Sequence, residues 1–72
     1  MENKQKICDL LARTLKATRE CSDLESLTYV TPEQPSRYDS YVEAKFTSGG
    51  KRIINTSMDS GFAMIRDIIA HI

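Results

Sequence analysis

Apolar and polar positions recur with two different periods along this chain, and the changes of period divide it into five segments. From residue 4 to about residue 22, Ile7, Leu10, Leu11, Leu15 and Thr18 share one stripe, with Lys6, Asp9, Arg13, Lys16 and Glu20 opposite. That is the pattern of an amphipathic helix. Ser22-Asp23 reads as its end, with Leu24 still covering the core. Leu27-Thr28-Tyr29-Val30-Thr31 is β-branched and aromatic, and the prolines of Pro32-Glu33-Gln34-Pro35-Ser36 stop it by denying a ladder its donors. A strand followed by a loop is expected there. From Tyr41 to Thr47 the alternation is strict: Val42, Ala44 and Phe46 face one way, Tyr41, Glu43 and Lys45 the other. The first set is assigned to the core.

Ser48-Gly49-Gly50, followed by the β-branched run Arg52-Ile53-Ile54-Asn55-Thr56, signals a hairpin. Two registers are open. A two-residue Gly49-Gly50 turn sets Phe46 opposite Ile53; a three-residue Ser48-Gly49-Gly50 turn with a bulge sets Lys45 there and sends Ile54 to the core. Either way one isoleucine joins Tyr41 on the outer face. Ser57, Asp59 and Ser60 then offer side chains to cap a terminal helix, and Asp59 is expected to contribute to stability there by capping or by answering the helix dipole. Helical spacing puts Met58, Gly61, Phe62, Ile65, Ile68, Ile69 and Ile72 inward, and Asp59, Ser60, Ala63, Arg66, Asp67 and Ala70 outward. The order predicts an α+β fold of one domain, residues 1–72. Its form is a two-layer α-β-β-β-α arrangement, an antiparallel three-stranded meander with both helices on one face.

Length and charge narrow the picture. Seventy-two residues make a marginal core, so self-association would help stability. Basic and acidic residues cancel at ten each, and locally too: five of each in 1–26, four against three in 27–57, one against two in 58–72. No segment has the field of a polyanion binder. Apolar runs stop at four residues, too short for a membrane span or a secretory leader. Cys8 and Cys21 in one helix would lie roughly 20 Å apart, beyond the roughly 4.4–6.8 Å between Cα atoms that a disulfide needs. Free thiols place the protein in the cytoplasm. The pairs Glu2/Lys6, Asp9/Arg13 and Lys16/Glu20 stand at i,i+4 on the wet face.

Candidate chemistry is sparse. His71, the one histidine, sits beside the last residue on the polar side of its helix, and with the two cysteines it matches no metal-ligand spacing. Ser57 and Ser60 lack a base, and no carboxylate pair has an apolar setting. Ser57-Met58-Asp59-Ser60-Gly61 has the ingredients of an anion site, but Asp59 would repel a phosphate. The expectation is no catalytic, cofactor or metal residue, and not an enzyme. Arg37, Lys45, Lys51 and Arg52 form a basic patch only if the hairpin gathers them; singly they make a solvated edge that discourages aggregation.

The helix-strand-strand-strand-helix order from Lys4 to Ile72 resembles that of double-stranded-RNA-binding domains. That resemblance implies nucleic-acid binding, yet the family's Lys-rich helix start is replaced here by Ser57-Met58-Asp59-Ser60-Gly61, and its Gly-Pro-His-type loop by Pro35-Ser36-Arg37-Tyr38. No binding residue carries over. Gly50 to Ile68, with Asn55-Thr56-Ser57 running into Asp59-Ser60-Gly61-Phe62-Ala63-Met64-Ile65, is similar to the C-terminal part of small uncharacterised bacterial and prophage proteins. It implies an accessory protein of bacterial or mobile-element origin. The leading expectation is thus a non-enzymatic, self-associating protein-interaction module using Tyr41 and Ile53 on the outer sheet face. The alternative is a nucleic-acid-binding module using Arg37, Lys45, Lys51 and Arg52.

Overall fold

The computed structural model describes residues 3–31, 40–57 and 59–72. The expected loop at 32–36, Arg37 of the basic patch, Met58 and Glu2 lie outside them. The elements are α1 (Lys4–Lys16), β1 (Leu24–Val30), β2 (Tyr41–Phe46), β3 (Lys51–Asn55) and α2 (Gly61–His71). The strands form one antiparallel sheet in the order β1-β2-β3. Cys8, Ala12, Met64 and Ile68 of the helices share a single core with Leu24, Leu27, Val42, Ala44 and Ile54 of the sheet, so both helices cover the same face. The α+β order and meander are as the periodicity predicts. Among the described residues no helix is long and apolar enough to cross a membrane.

Helix α1 starts at Asn3, whose side chain accepts from the Lys6 N–H at 3.0 Å. It stops at Lys16, not near residue 22. The Thr18 hydroxyl donates to the Leu15 carbonyl at 2.6 Å and accepts from the Cys21 N–H, so a side chain takes the place of the next helical turn. Cys21 therefore leaves the helix and packs half-buried against the core; the argument from helical rise does not apply to it, although both thiols are free. Lys16 and Glu20 no longer share a helix face, and Asp9 accepts from Gln5 at 2.8 Å in place of pairing with Arg13.

Strand β1 begins three residues earlier than its β-branched run. Leu24 pairs with Phe46 and Ser26 with Lys45, leaving Glu25 as an extra residue in a bulge. The bulge is what lets Leu24 and Leu27, an odd number of residues apart, both face inward. In the hairpin, Gly49 N–H donates to Phe46 O and Phe46 N–H to Gly50 O, a three-residue Thr47-Ser48-Gly49 loop one position earlier than expected. Gly49 takes a φ of 94°, the left-handed conformation such a loop needs. Glu43, and neither Phe46 nor Lys45, stands opposite Ile53. Ile54 is buried and Ile53 points outward, 61% exposed.

Helix α2 is rotated from its expected orientation. Gly61, Met64 and Ile68 are buried, while Phe62 and Ile69, assigned inward from spacing, are 80% and 56% exposed. Helix α1 is also rotated from its expected orientation: Cys8 and Ala12 lie against the sheet, Ile7, Leu11 and Leu15 are half-buried, and Leu10 is 52% exposed. Cys8 and Ala12 of α1 and Gly61 of α2 are the small residues on the buried faces, where Met64 and Ile68 fill the remaining space, and other large apolar residues are left on the flanks.

Candidate functional site

Three surfaces concentrate the side chains that packing leaves over. The first is the flank where the two helices meet. Both start at the same end of the sheet, since Lys4 Nζ donates to the Asp59 carbonyl at 2.7 Å and stands 5.5 Å from the Tyr29 ring centroid. Ile7, Leu10, Leu11 and Thr14 of α1 and Ile65 of α2 line a groove of about 230 Å3 between them. Phe62 and Ile69 sit three residues before and four after Ile65, so they extend the same stripe. Beyond it, helical spacing places Lys6 and Arg13 on α1 and Arg66 on α2, all three exposed. The groove is apolar and the charges bordering it are positive.

The second surface is the outer edge of β3, the last strand of the sheet. A hollow of about 440 Å3 runs beside it, lined by Arg52, Ile53, Ile54 and Asn55 of the strand and by Asp67 and His71 of α2. The Arg52 guanidinium donates to the carbonyl oxygens of His71 at 3.0 Å and Ile72 at 3.1 Å, holding the last turn of α2 over the strand. His71 lies exposed on this wall, in line with its expected surface position.

The outer face of the sheet is the third. Its cross-strand rows are Val30-Tyr41-Asn55, Thr28-Glu43-Ile53 and Ser26-Lys45-Lys51. Tyr41 is half-buried and Ile53 is its diagonal neighbour across β2 and β3. The surroundings are polar, with Lys51 Nζ 3.7 Å from Glu43 Oε1. The described members of the basic patch, Lys45, Lys51 and Arg52, do not all gather here. Lys45 and Lys51 are cross-strand partners on this face, whereas Arg52, one residue on, is turned to the helix side and bonded there.

The start of α2 is a cap. Ser60 Oγ, not Asp59, accepts from the Ala63 N–H at 3.2 Å, which corrects the expectation that Asp59 supplies the cap. Asp59 Oδ2 is shielded from solvent with no hydrogen-bond partner among the described residues, although the rest of the side chain is only half-buried. Burial, and then the nearby Asp67 carboxyl, push Asp59 above the ordinary carboxylate range against the pull of Arg66 and Lys4. Burial, with a smaller contribution from Asp9, pushes the Cys8 thiol up to about 11, so it stays protonated and unreactive at neutral pH. Among the described residues no three His, Cys, Asp or Glu side chains come together as a metal site. A further hollow of about 280 Å3 between α1 and β1 carries Asp9, Glu25, Arg13 and Lys16, whose charges cancel.

Sequence reasoning placed Leu10, Phe62, Ile65 and Ile69 in the core, and so passed over the helix flank. The available signal was an excess: the apolar stripes of the two helices are broader than a three-stranded sheet can cover. No known protein family, curated protein or solved structure matches the chain.

Proposed function

We propose that this protein is a non-enzymatic interaction module that docks an acidic amphipathic helix of a partner protein between α1 and α2. The observation that carries this reading is the exposed stripe of Leu10, Phe62 and Ile69 around the groove of Ile7, Leu11 and Ile65. A small folded protein that leaves a phenylalanine 80% exposed beside an apolar hollow has the composition of a docking face, with an aromatic anchor at its border. Four lining residues of α1 span two helical turns, the length over which a docked helix presents i, i+3 or i+4, and i+7 anchors. Lys6, Arg13 and Arg66 favour acidic flanks on that helix and would repel basic ones. The helix flank takes this role in place of the Tyr41 and Ile53 face because charged and polar side chains surround that pair.

The test is a titration of isotopically labelled protein, followed by NMR, with two synthetic helical peptides that share leucine anchors and differ in Glu or Lys flanks. The Glu peptide is expected to shift Leu10, Thr14, Phe62, Ile65 and Ile69, and Leu10→Glu to abolish the response. Equal response to both peptides, shifts confined to the sheet, or none at millimolar peptide would sink the proposal.

A further inference from the structure

The two edges of the sheet are treated differently. On β1 two of the outward main-chain groups are occupied: Tyr29 N–H donates to Gln5 Oε1 at 2.8 Å, and Gln5 Nε2 donates to Leu27 O at 3.3 Å. The glutamine amide thus closes that edge as a neighbouring strand would. On β3 the bonds Phe46 N–H to Gly50 O and Thr56 N–H to Ser40 O fix the phase of the ladder. In that phase Arg52 and Ile54 exchange bonds with Ala44 and Val42, and the N–H and C=O of Lys51, Ile53 and Asn55 point away from the sheet. Nothing among the described residues pairs with that edge, for the strand order ends at β3. The usual protections are weak: β3 contains no proline and no bulge, Lys51 sits only at its tip, and the residue at its centre is the exposed Ile53.

We infer that β3 pairs with β3 of a second copy, antiparallel about a two-fold axis at Ile53, to make one continuous six-stranded sheet. The strand is complementary to itself in this register. Ile53 meets Ile53 of the second copy, exchanging both main-chain bonds, because it is one of the residues whose groups face outward. Lys51 meets Asn55, and Arg52 meets Ile54, so no like charges stand directly opposite. The hollow beside the strand provides room on the helix side, and its wall carries Asp67, complementary to the incoming Arg52. A formal net charge of zero adds no long-range repulsion between copies. The axis runs perpendicular to the sheet, so all four helices and both grooves end up on one face. The pairing therefore leaves helix docking free and is independent of it.

Sedimentation equilibrium of the full chain, combined with amide hydrogen exchange across a concentration series, tests this. A dimer is expected, with the Ile53 amide slowing as concentration rises while the Tyr29 amide is unchanged. Ile53→Lys puts two cations face to face at an exposed position and is expected to weaken the dimer roughly tenfold without altering the circular dichroism spectrum. A strict monomer at hundreds of micromolar would overturn the inference. So would a dimer indifferent to Ile53→Lys but broken by Leu10→Glu, which would place the contact on the helices.

Discussion

The side-chain amide of Gln5 lies alongside Tyr29 in the position of a missing strand, accepting its N–H at 2.8 Å while returning a donor to Leu27 O. One residue thereby ties α1 to β1 and satisfies two main-chain groups that a sheet edge leaves over. Replacing Gln5 with Ala leaves both groups without a protein partner in a half-buried site, and is expected to cost about 1–3 kcal/mol in urea unfolding. Hydrogen exchange locates the effect. The Tyr29 amide should become fast while amides of β2 keep their protection relative to the global stability.

At the start of α2, Ser60→Ala removes the acceptor of the Ala63 N–H and should cost about 1 kcal/mol. Asp59 behaves in the opposite sense. Its folded state holds a proton to higher pH than its ordinary value of 3.8, so its favourable contribution exists below that value and is lost as pH rises through the folded-state pKa. The ionised carboxylate is the form the fold penalises. Asp59→Asn is therefore expected to raise the melting temperature at pH 7 and to lose that advantage in acid; a lower melting temperature at pH 7 would refute the assignment.

The hairpin glycines separate backbone strain from packing. A Cβ at Gly49 meets nothing within 4 Å, but the φ of 94° makes Gly49→Ala cost about 1–2 kcal/mol. At Gly50 the new Cβ would stand an ordinary 3.8 Å from Ser48 Oγ, with no positive φ to oppose it. Gly50→Ala should be neutral, or stabilising by up to about 1 kcal/mol through the unfolded state. Chemical denaturation of the two variants should give opposite or clearly unequal shifts.

The two thiols should differ in reactivity. Cys21, half-buried in the turn after α1, should react with a thiol-disulfide reagent in the native protein at pH 8, and Cys8 only on unfolding. Because the Cys8 pKa is raised from 9.0 to about 11, the stability linked to its proton is present below pH 9 and declines as pH rises toward 11. Thermal melts of wild type and Cys8→Ala across that interval should converge; parallel curves would show that Cys8 does not titrate there.

Local pattern alone determines the order of elements, the alternation that buries Val42 and Ala44, and a capped start to α2 within the Ser57–Ser60 stretch. These depend on periods of two or 3.6 residues and on side chains that bond within their own turn. Tertiary packing decides the rest. The apolar stripe of each helix is broad enough to satisfy more than one rotation, and contact with the sheet selects Cys8, Ala12, Gly61 and Met64 because a close approach needs side chains that fit the space over Leu27, Val42 and Ile54. Leu10, Phe62 and Ile69 are thereby exposed, and the helix groove exists only after that selection. The bulge at Glu25 likewise follows from Leu24 and Leu27 both reaching the core, and the hairpin loop lies one residue earlier than the expected three-residue turn. Gln5 reads as one more polar position on a helix. Its partner is a main-chain N–H 24 residues away, and only the docking of α1 against β1 brings the two together.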